Sequence, residues 1–172
     1  MRTIIRQETR EDRDNVYKVI KKAFETVEHS DHDEQNLVNR LRESDSFIPE
    51  LSLVAEKDKK IIGYILFTKV SVNKETLLAL APLAVHPDMQ NKGIGKRLIK
   101  EGHKRAVSMG YKGCIVLGHH EYYKKSGYQP ASLFHIVAPF DVPDKNYMAI
   151  ELTEHGLENI AGTVVYAKEF YE

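Results

Sequence analysis

Apolar and polar positions follow two periods along the chain, and the change from one to the other marks its elements. Residues 3–7 lean apolar and predict a short strand. Thr9 or Asp12 can then cap a helix whose apolar positions Val16, Val19, Ile20, Ala23 and Phe24 recur at helical spacing. A polar stretch over 28–33 separates it from a second amphipathic helix over 33–43, with Leu37, Val38 and Leu41 on one side. The middle of the chain turns to strands at 51–56, 61–70 and 76–85, with Asp58-Lys59-Lys60 as a tight turn between the first two. These predict an antiparallel meander. Pro87 ends the last strand, and a helix follows from near Gly93 to about Ser108, stopped by Gly110. Residues 114–117 are wholly apolar, as a buried strand requires. Residues 120–126 fit two helical turns before Gly127, and strands are expected at 147–152 and 163–167. The order predicts an α+β class, a mixed three-layer sandwich with a central, mostly antiparallel sheet and helices on both faces.

Composition narrows the function classes. The 172 residues fit one domain, with 42% hydrophobic and 29% charged residues. Lys+Arg and Asp+Glu balance at 25 each, so nothing in the overall charge favours nucleic acid, and any phosphate site must be local. Cys114 is the one cysteine and lies in an apolar run, so no internal disulfide is expected. No apolar run approaches the length of a membrane span, and a cytoplasmic setting is expected.

The segment Gln90-Asn91-Lys92-Gly93-Ile94-Gly95-Lys96-Arg97 lies between an apolar strand and an amphipathic helix. Its two glycines let the backbone turn tightly and approach a ligand closely. The helix start adds unpaired N–H groups and a positive dipole end, and Lys92, Lys96 and Arg97 add charge. Such a segment suits phosphate. A Walker A loop fails here, because Gly95-Lys96 is followed by Arg97 and Gln90 stands where the first glycine belongs. A dinucleotide fingerprint fails as well, because Leu98 stands where the third glycine belongs.

The run from Pro82 through Leu83, Ala84, Val85, His86 and Pro87 to Gln90-Asn91-Lys92-Gly93-Ile94-Gly95 resembles the acetyl-CoA motif of the GNAT N-acetyltransferase superfamily. That motif is an apolar L-x-V strand end, a proline, then [QR]-x-x-G-x-[GA]. The resemblance covers roughly residues 3–130. It implies that backbone groups of Leu83, Ala84 and Val85 pair with the pantetheine arm, in the manner of an added strand. It further implies that N–H groups of Asn91, Lys92, Gly93, Ile94, Gly95 and Lys96 cradle the pyrophosphate, with Gln90 supporting the turn. Tyr123 lies four residues before Gly127-Tyr128 and takes the place of the superfamily's Y-x-x-x-G-[FY] tyrosine, which faces the coenzyme sulfur as general acid. Tyr122 reads as packing or pocket lining. An asparagine that many members carry upstream of that tyrosine has no counterpart within 115–117. L-G-x-x-x-Y-Y-x-x-x-G-[FY] from Leu117, and the tail Asp141-Val142-Pro143-Asp144-Lys145-Asn146-Tyr147-Met148-Ala149, resemble a subgroup of predicted bacterial acetyltransferases.

Taken together, the expectation is one N-acetyltransferase domain over 1–172, with a core at about 3–130 and subgroup-specific strands at about 131–172. It would move the acetyl group of acetyl-CoA to a primary amine of a small molecule or peptide by direct attack. No serine or cysteine nucleophile with an adjacent base is evident. The alternative is a domain that binds acetyl-CoA or CoA without turnover. The base is left open among Glu34, which could instead contact substrate or favour its helix start, and His119 or His86. Ligand types gather at His29-Ser30-Asp31-His32-Asp33-Glu34, but no second cluster with zinc spacing exists, and no metal is expected. Neither nucleic acid nor membrane is an expected partner, and superfamily analogy allows a homodimer through the C-terminal strands.

Overall fold

A computed structural model describes residues 2–172. β1 (Ile4–Gln7) is followed by α1 (Arg13–Phe24), entered through a capping box in which Thr9 and Asp12 hold one another. α2 (Glu34–Arg42) comes next, then the meander β2 (Ser52–Lys57), β3 (Lys60–Val72) and β4 (Glu75–Val85). Asp58-Lys59 and Asn73-Lys74 join these strands with positive φ at both residues, as a two-residue hairpin turn demands. α3 (Ile94–Ser108) crosses to β5 (Gly113–Leu117), and α4 (His120–Lys124) follows. β6 (Gln129–Pro130), β7 (Ile136–Val137), β8 (Tyr147–Glu151) and β9 (Gly162–Val165) complete the sheet, and the 3-10 turn Lys168–Tyr171 follows.

Among the described residues the strands form a nine-stranded sheet with the order β1-β2-β3-β4-β5-β8-β6; β9 pairs with both β3 and β7. Strand alternation divides the core. Ile65 and Phe67 of β3 face α3 with Leu98, Ile99, Cys114 and Val116. Tyr64 and Leu66 face the opposite way, onto Val16, Ile20, Val38 and Leu41 of α1 and α2. Farther along that second face, Val70 and Val72 meet Ile115, Tyr147, Ala149 and Val164, so the C-terminal segment covers what α1 and α2 leave bare. Helices on both faces of a mixed sheet give the expected α+β three-layer architecture.

Three details differ from the periodicity. α4 has five residues rather than two full turns, because Gly127 with φ 99° turns the chain and Tyr128 N–H returns to the Tyr123 carbonyl at 3.2 Å. β6 and β7 have two residues each, too few to show a period. The last strand ends at Val165, two residues early, since Tyr166 and Ala167 turn away into the closing 3-10 segment.

Buried charge ties the first layer to the sheet. Arg42 and Glu8 form an ion pair with side chains only 3% and 5% exposed, and Ser52 Oγ donates to Glu8 at 2.9 Å while meeting the Tyr64 hydroxyl at 2.7 Å. Arg6 grips Asp12 at 2.7 Å and Glu56 at 3.0 Å.

Candidate active site

The site begins where two strands part. β4 and β5 run parallel and pair only over Leu78–Leu80 and Cys114–Val116. Toward its end β4 stays paired to β3 alone, Leu83 opposite Ile65 and Val85 opposite Gly63, past an irregularity near Leu66. Such a bulge re-aims a strand end. His86 N–H donates to the Ile62 carbonyl at 2.8 Å. Backbone groups in an antiparallel strand alternate between its two sides. Ala84 therefore faces β3, and Leu83 and Val85 turn their polar groups toward the edge that β5 has left. Gln90 Nε2 lies on that edge and donates to the Val85 carbonyl at 3.1 Å.

The glycine loop sits beside this edge. His86 Nδ1 accepts the Asp88 N–H at 3.1 Å and fixes the turn after the strand. Asn91 and Gly93 adopt left-handed φ of 62° and 82°, which winds the loop back into α3. Among the described residues no side chain caps α3 and no acidic residue lies in its first turn, so its leading N–H groups and dipole are uncompensated there. Lys92 and Lys96 are exposed. Arg97 turns aside and donates to the Thr3 carbonyl at 3.0 Å, so its charge is directed at the start of the chain rather than into the loop.

α4 closes the same region. The Tyr122 hydroxyl lies so close over Gly95 that a Cβ there would collide with it, and Leu83 borders the same spot. The Tyr122 ring is 42% exposed. Tyr123 packs on Gly118 and meets Tyr122 edge-on at 5.0 Å and Tyr128 at 5.8 Å. It joins Leu83, Val85 and Met89 at the rim of the core under α3. Burial pushes the Tyr123 phenol well above its ordinary value, with Tyr122 and Cys114 adding to the effect. Behind it the Tyr128 hydroxyl meets His103 Nε2 at 2.8 Å. Burial lowers His103 to about 4 and raises the Cys114 thiol to about 12, so both are neutral near pH 7.

On the other face of the sheet, at the same parting, lies a cleft of about 330 Å³. Ala79, Leu80 and Ala81 of β4 and Ile115 and Leu117 of β5 form its base. Leu37 of α2 forms one wall, and Phe140, Tyr166, Phe170 and Tyr171 form the other. Phe140 stacks on Tyr166 at 6.0 Å, and Phe170 meets Tyr166 edge-on at 5.0 Å. The Tyr166 hydroxyl is engaged by Tyr147 at 2.8 Å, and burial raises its phenol to about 12. Arg40 Nε donates to the Glu169 carbonyl at 3.1 Å and fastens the closing turn to α2.

The structure thus brings together Leu83, Ala84, Val85, the loop Gln90 to Lys96, and Tyr123. Glu34 stands apart from them, at the start of α2 one turn before Leu37, where Ser30 Oγ donates to both its oxygens at 2.6 and 2.8 Å. His119 is exposed. Among the described residues no group of three or more His, Cys, Asp or Glu could hold a metal ion, and no helix is long and apolar enough to cross a membrane. Two features escaped the sequence reading: the Tyr122 hydroxyl over Gly95, and the aromatic wall. Aromatic enrichment after residue 133 was the available signal for the second, but it has no period that assigns a partner.

Comparison with known proteins agrees with this geometry. A family model described as acetyltransferase (GNAT) domain matches residues 49–130. The uncharacterized N-acetyltransferase YjhQ of Escherichia coli K12 is 39% identical over 118 residues, which span 66% of this chain and 65% of YjhQ. The uncharacterized N-acetyltransferase YhbS of the same organism is 29% identical over 170 residues, 97% of this chain and 98% of YhbS. The crystal structure of E. coli YhbS in complex with CoA superposes with a TM-score of 0.91 at 27% identity, covering 100% of this chain and 93% of that one. A GNAT acetyltransferase from Brucella melitensis in complex with acetyl-CoA gives 0.82 at 27% identity, covering 98% of each chain.

Proposed function

Because the chain belongs to the GNAT acetyltransferase superfamily, and is thereby an acetyl-CoA-dependent acyltransferase, we propose that it acetylates a primary amine by direct attack at the parting of β4 and β5. The observation that carries this reading is the outer edge of β4 at Leu83–Val85, which among the described residues pairs with no strand and has its Val85 carbonyl held by Gln90 Nε2, beside the uncapped start of α3. Pantetheine is a chain of amides, and an unpaired strand edge is its natural partner. The pyrophosphate then falls at Asn91 to Lys96, where left-handed Asn91 and Gly93 wind the loop into the uncapped start of α3. That YhbS binds CoA and the Brucella protein acetyl-CoA supports the assignment.

The reaction needs few groups. An alkyl ammonium near pKa ~10.4 must lose a proton before its nitrogen can attack. The C–N bond forms as the thioester carbonyl becomes an oxyanion, which an outward N–H of the Leu83–Val85 edge can stabilise. The C–S bond then breaks, and the thiolate, with a conjugate acid near ~8.5, takes a proton from the Tyr123 phenol. Glu34 and the exposed His119 remain candidates for the base or for substrate contact. His86 is the weaker candidate, since its Nδ1 already accepts the Asp88 N–H. Residues 1–172 act as one catalytic domain in this reading, in the cytoplasm, with association of two copies through the C-terminal strands left to sedimentation.

Calorimetry on the purified protein tests the coenzyme site. Acetyl-CoA should bind in the micromolar range, and ATP and NAD far more weakly. Gly93→Val forces a side chain into φ 82° and should weaken acetyl-CoA while the protein stays folded. Preference for NAD would sink the reading.

A further inference from the structure

We propose that the aromatic cleft is the acceptor pocket, and that it takes a small primary amine carrying one aromatic-sized apolar group and no second charge. This rests on the acetyltransferase reading above and adds the class of acceptor to it.

Position is the first argument. The base of the cleft is made by the residues at which β4 and β5 stop pairing, Leu80 and Ala81 on one strand and Leu117 on the other. The coenzyme loop lies on the α3 side of the sheet, and the cleft lies on the side of α2 and the C-terminal segment. An acetyl group brought to the gap from one side therefore faces an amine held on the other.

Chemistry is the second. Among the described residues no charged side chain lines the cleft, and the Tyr166 hydroxyl is already taken by Tyr147. A polyamine or aminoglycoside would surrender the hydration of several charges without meeting a carboxylate. A single ammonium can approach over the ring faces of Tyr166 and Phe170 and give up its proton before attack. The body of the acceptor then meets rings already set in stacked and edge-on pairs, the arrangement a further aromatic ring extends. The volume of about 330 Å³ lies at the small end of the range for ligand pockets, about 300–1,000 Å³, which suits one compact molecule rather than a length of peptide. The Arg40–Glu169 bond holds the wall in place, so the pocket is formed before the acceptor arrives.

The bonds balance as in simple aminolysis. The amine lone pair forms C–N, and C–S breaks with its pair going to sulfur. Nitrogen releases one proton to solvent, and sulfur receives one from Tyr123, which solvent restores.

The test is free-thiol release by the full chain with acetyl-CoA and 2-phenylethylamine, spermidine or an aminoglycoside, beside calorimetric binding of acetyl-CoA. The expected result is a kcat/KM for 2-phenylethylamine at least about 10²-fold above the polycations, the discrimination pocket contacts commonly supply. Phe170→Ala should raise KM for 2-phenylethylamine about tenfold, with the KM for acetyl-CoA unchanged. Tyr171→Ala, at a side chain 65% exposed, gives the same reading without risk to the fold. Preference for spermidine or the aminoglycoside, or failure to turn over 2-phenylethylamine in a protein that binds acetyl-CoA, overturns the pocket assignment alone. Failure to bind acetyl-CoA overturns the acetyltransferase reading and this one with it.

Discussion

Tyr123→Phe separates chemistry from packing at the centre of the site. The substitution removes one oxygen and keeps the ring that lies on Gly118 and meets Tyr122 and Tyr128 edge-on. Burial, not a hydrogen bond, is the main cause of the raised phenol. Stability should therefore change by less than about 1 kcal/mol, since no bonded partner is left stranded. A general acid is worth about 10²–10⁴ in rate, or about 2.7–5.4 kcal/mol of transition-state stabilisation. That loss should appear in kcat, while acetyl-CoA affinity holds, because the proton moves only as the thiolate forms. The pH profile adds a sign. The protonated phenol is the active form and its pKa is raised, so Tyr123 should produce no alkaline loss of rate below about pH 10. The measurements are steady-state thiol release from pH 6 to 10, acetyl-CoA calorimetry and a thermal melt. Tyr122→Phe is the contrast. Its hydroxyl overhangs Gly95 beside the coenzyme loop, so its loss should move the acetyl-CoA KM more than kcat. A Tyr123→Phe protein with normal turnover and a lowered melting temperature would refute the acid role. Equal losses of kcat from both substitutions would show that the role cannot be divided between the two rings as the helix register implies.

Two further outcomes concern stability. His103 titrates near 6.5 when unfolded and about 4 when folded, so the unfolded chain binds the extra proton between those values. Stability should be full above pH 6.5 and fall by about 3 kcal/mol toward pH 4, at about 1.4 kcal/mol per pH unit; urea titrations of wild type and His103→Gln with parallel pH slopes would rule this out. Glu8→Ala strands the buried Arg42 and should destabilise by about 3–5 kcal/mol, with Glu8→Leu/Arg42→Met less damaging, and a loss below about 1 kcal/mol in denaturant melts would contradict the buried pair.

The two halves of the site were unequally legible in the sequence. The coenzyme half is built by backbone, and backbone geometry leaves local marks. Gly93 and Gly95 stand where the chain must turn and approach closely, and Pro87 where a strand must end, whereas the edge at Leu83–Val85 was implied by the resemblance to the superfamily's motif, since β4 is a nearly continuous apolar run. The glycine and proline marks sit within a few residues of the features they specify, so turn chemistry suffices to find them, and the motif's fixed spacing extends the reading to the strand edge. The acceptor half is built by side chains from four distant stretches. Leu37, Ile115, Phe140 and Phe170 become neighbours only because β5 pairs with β8, β9 returns to β3, and the last turn docks on α2. None of these pairings has a local signal, and β6 and β7 are too short to carry one. The same distinction explains the two tyrosines. Resemblance to the superfamily's Y-x-x-x-G-[FY] motif marked Tyr123, a relation within one helical turn, whereas the meeting of Tyr122 with Gly95 depends on how α4 lies against the start of α3. A chain that keeps the glycine loop while changing its aromatic wall should therefore keep its donor and change its acceptor, because donor recognition resides in main-chain groups that such substitutions leave untouched.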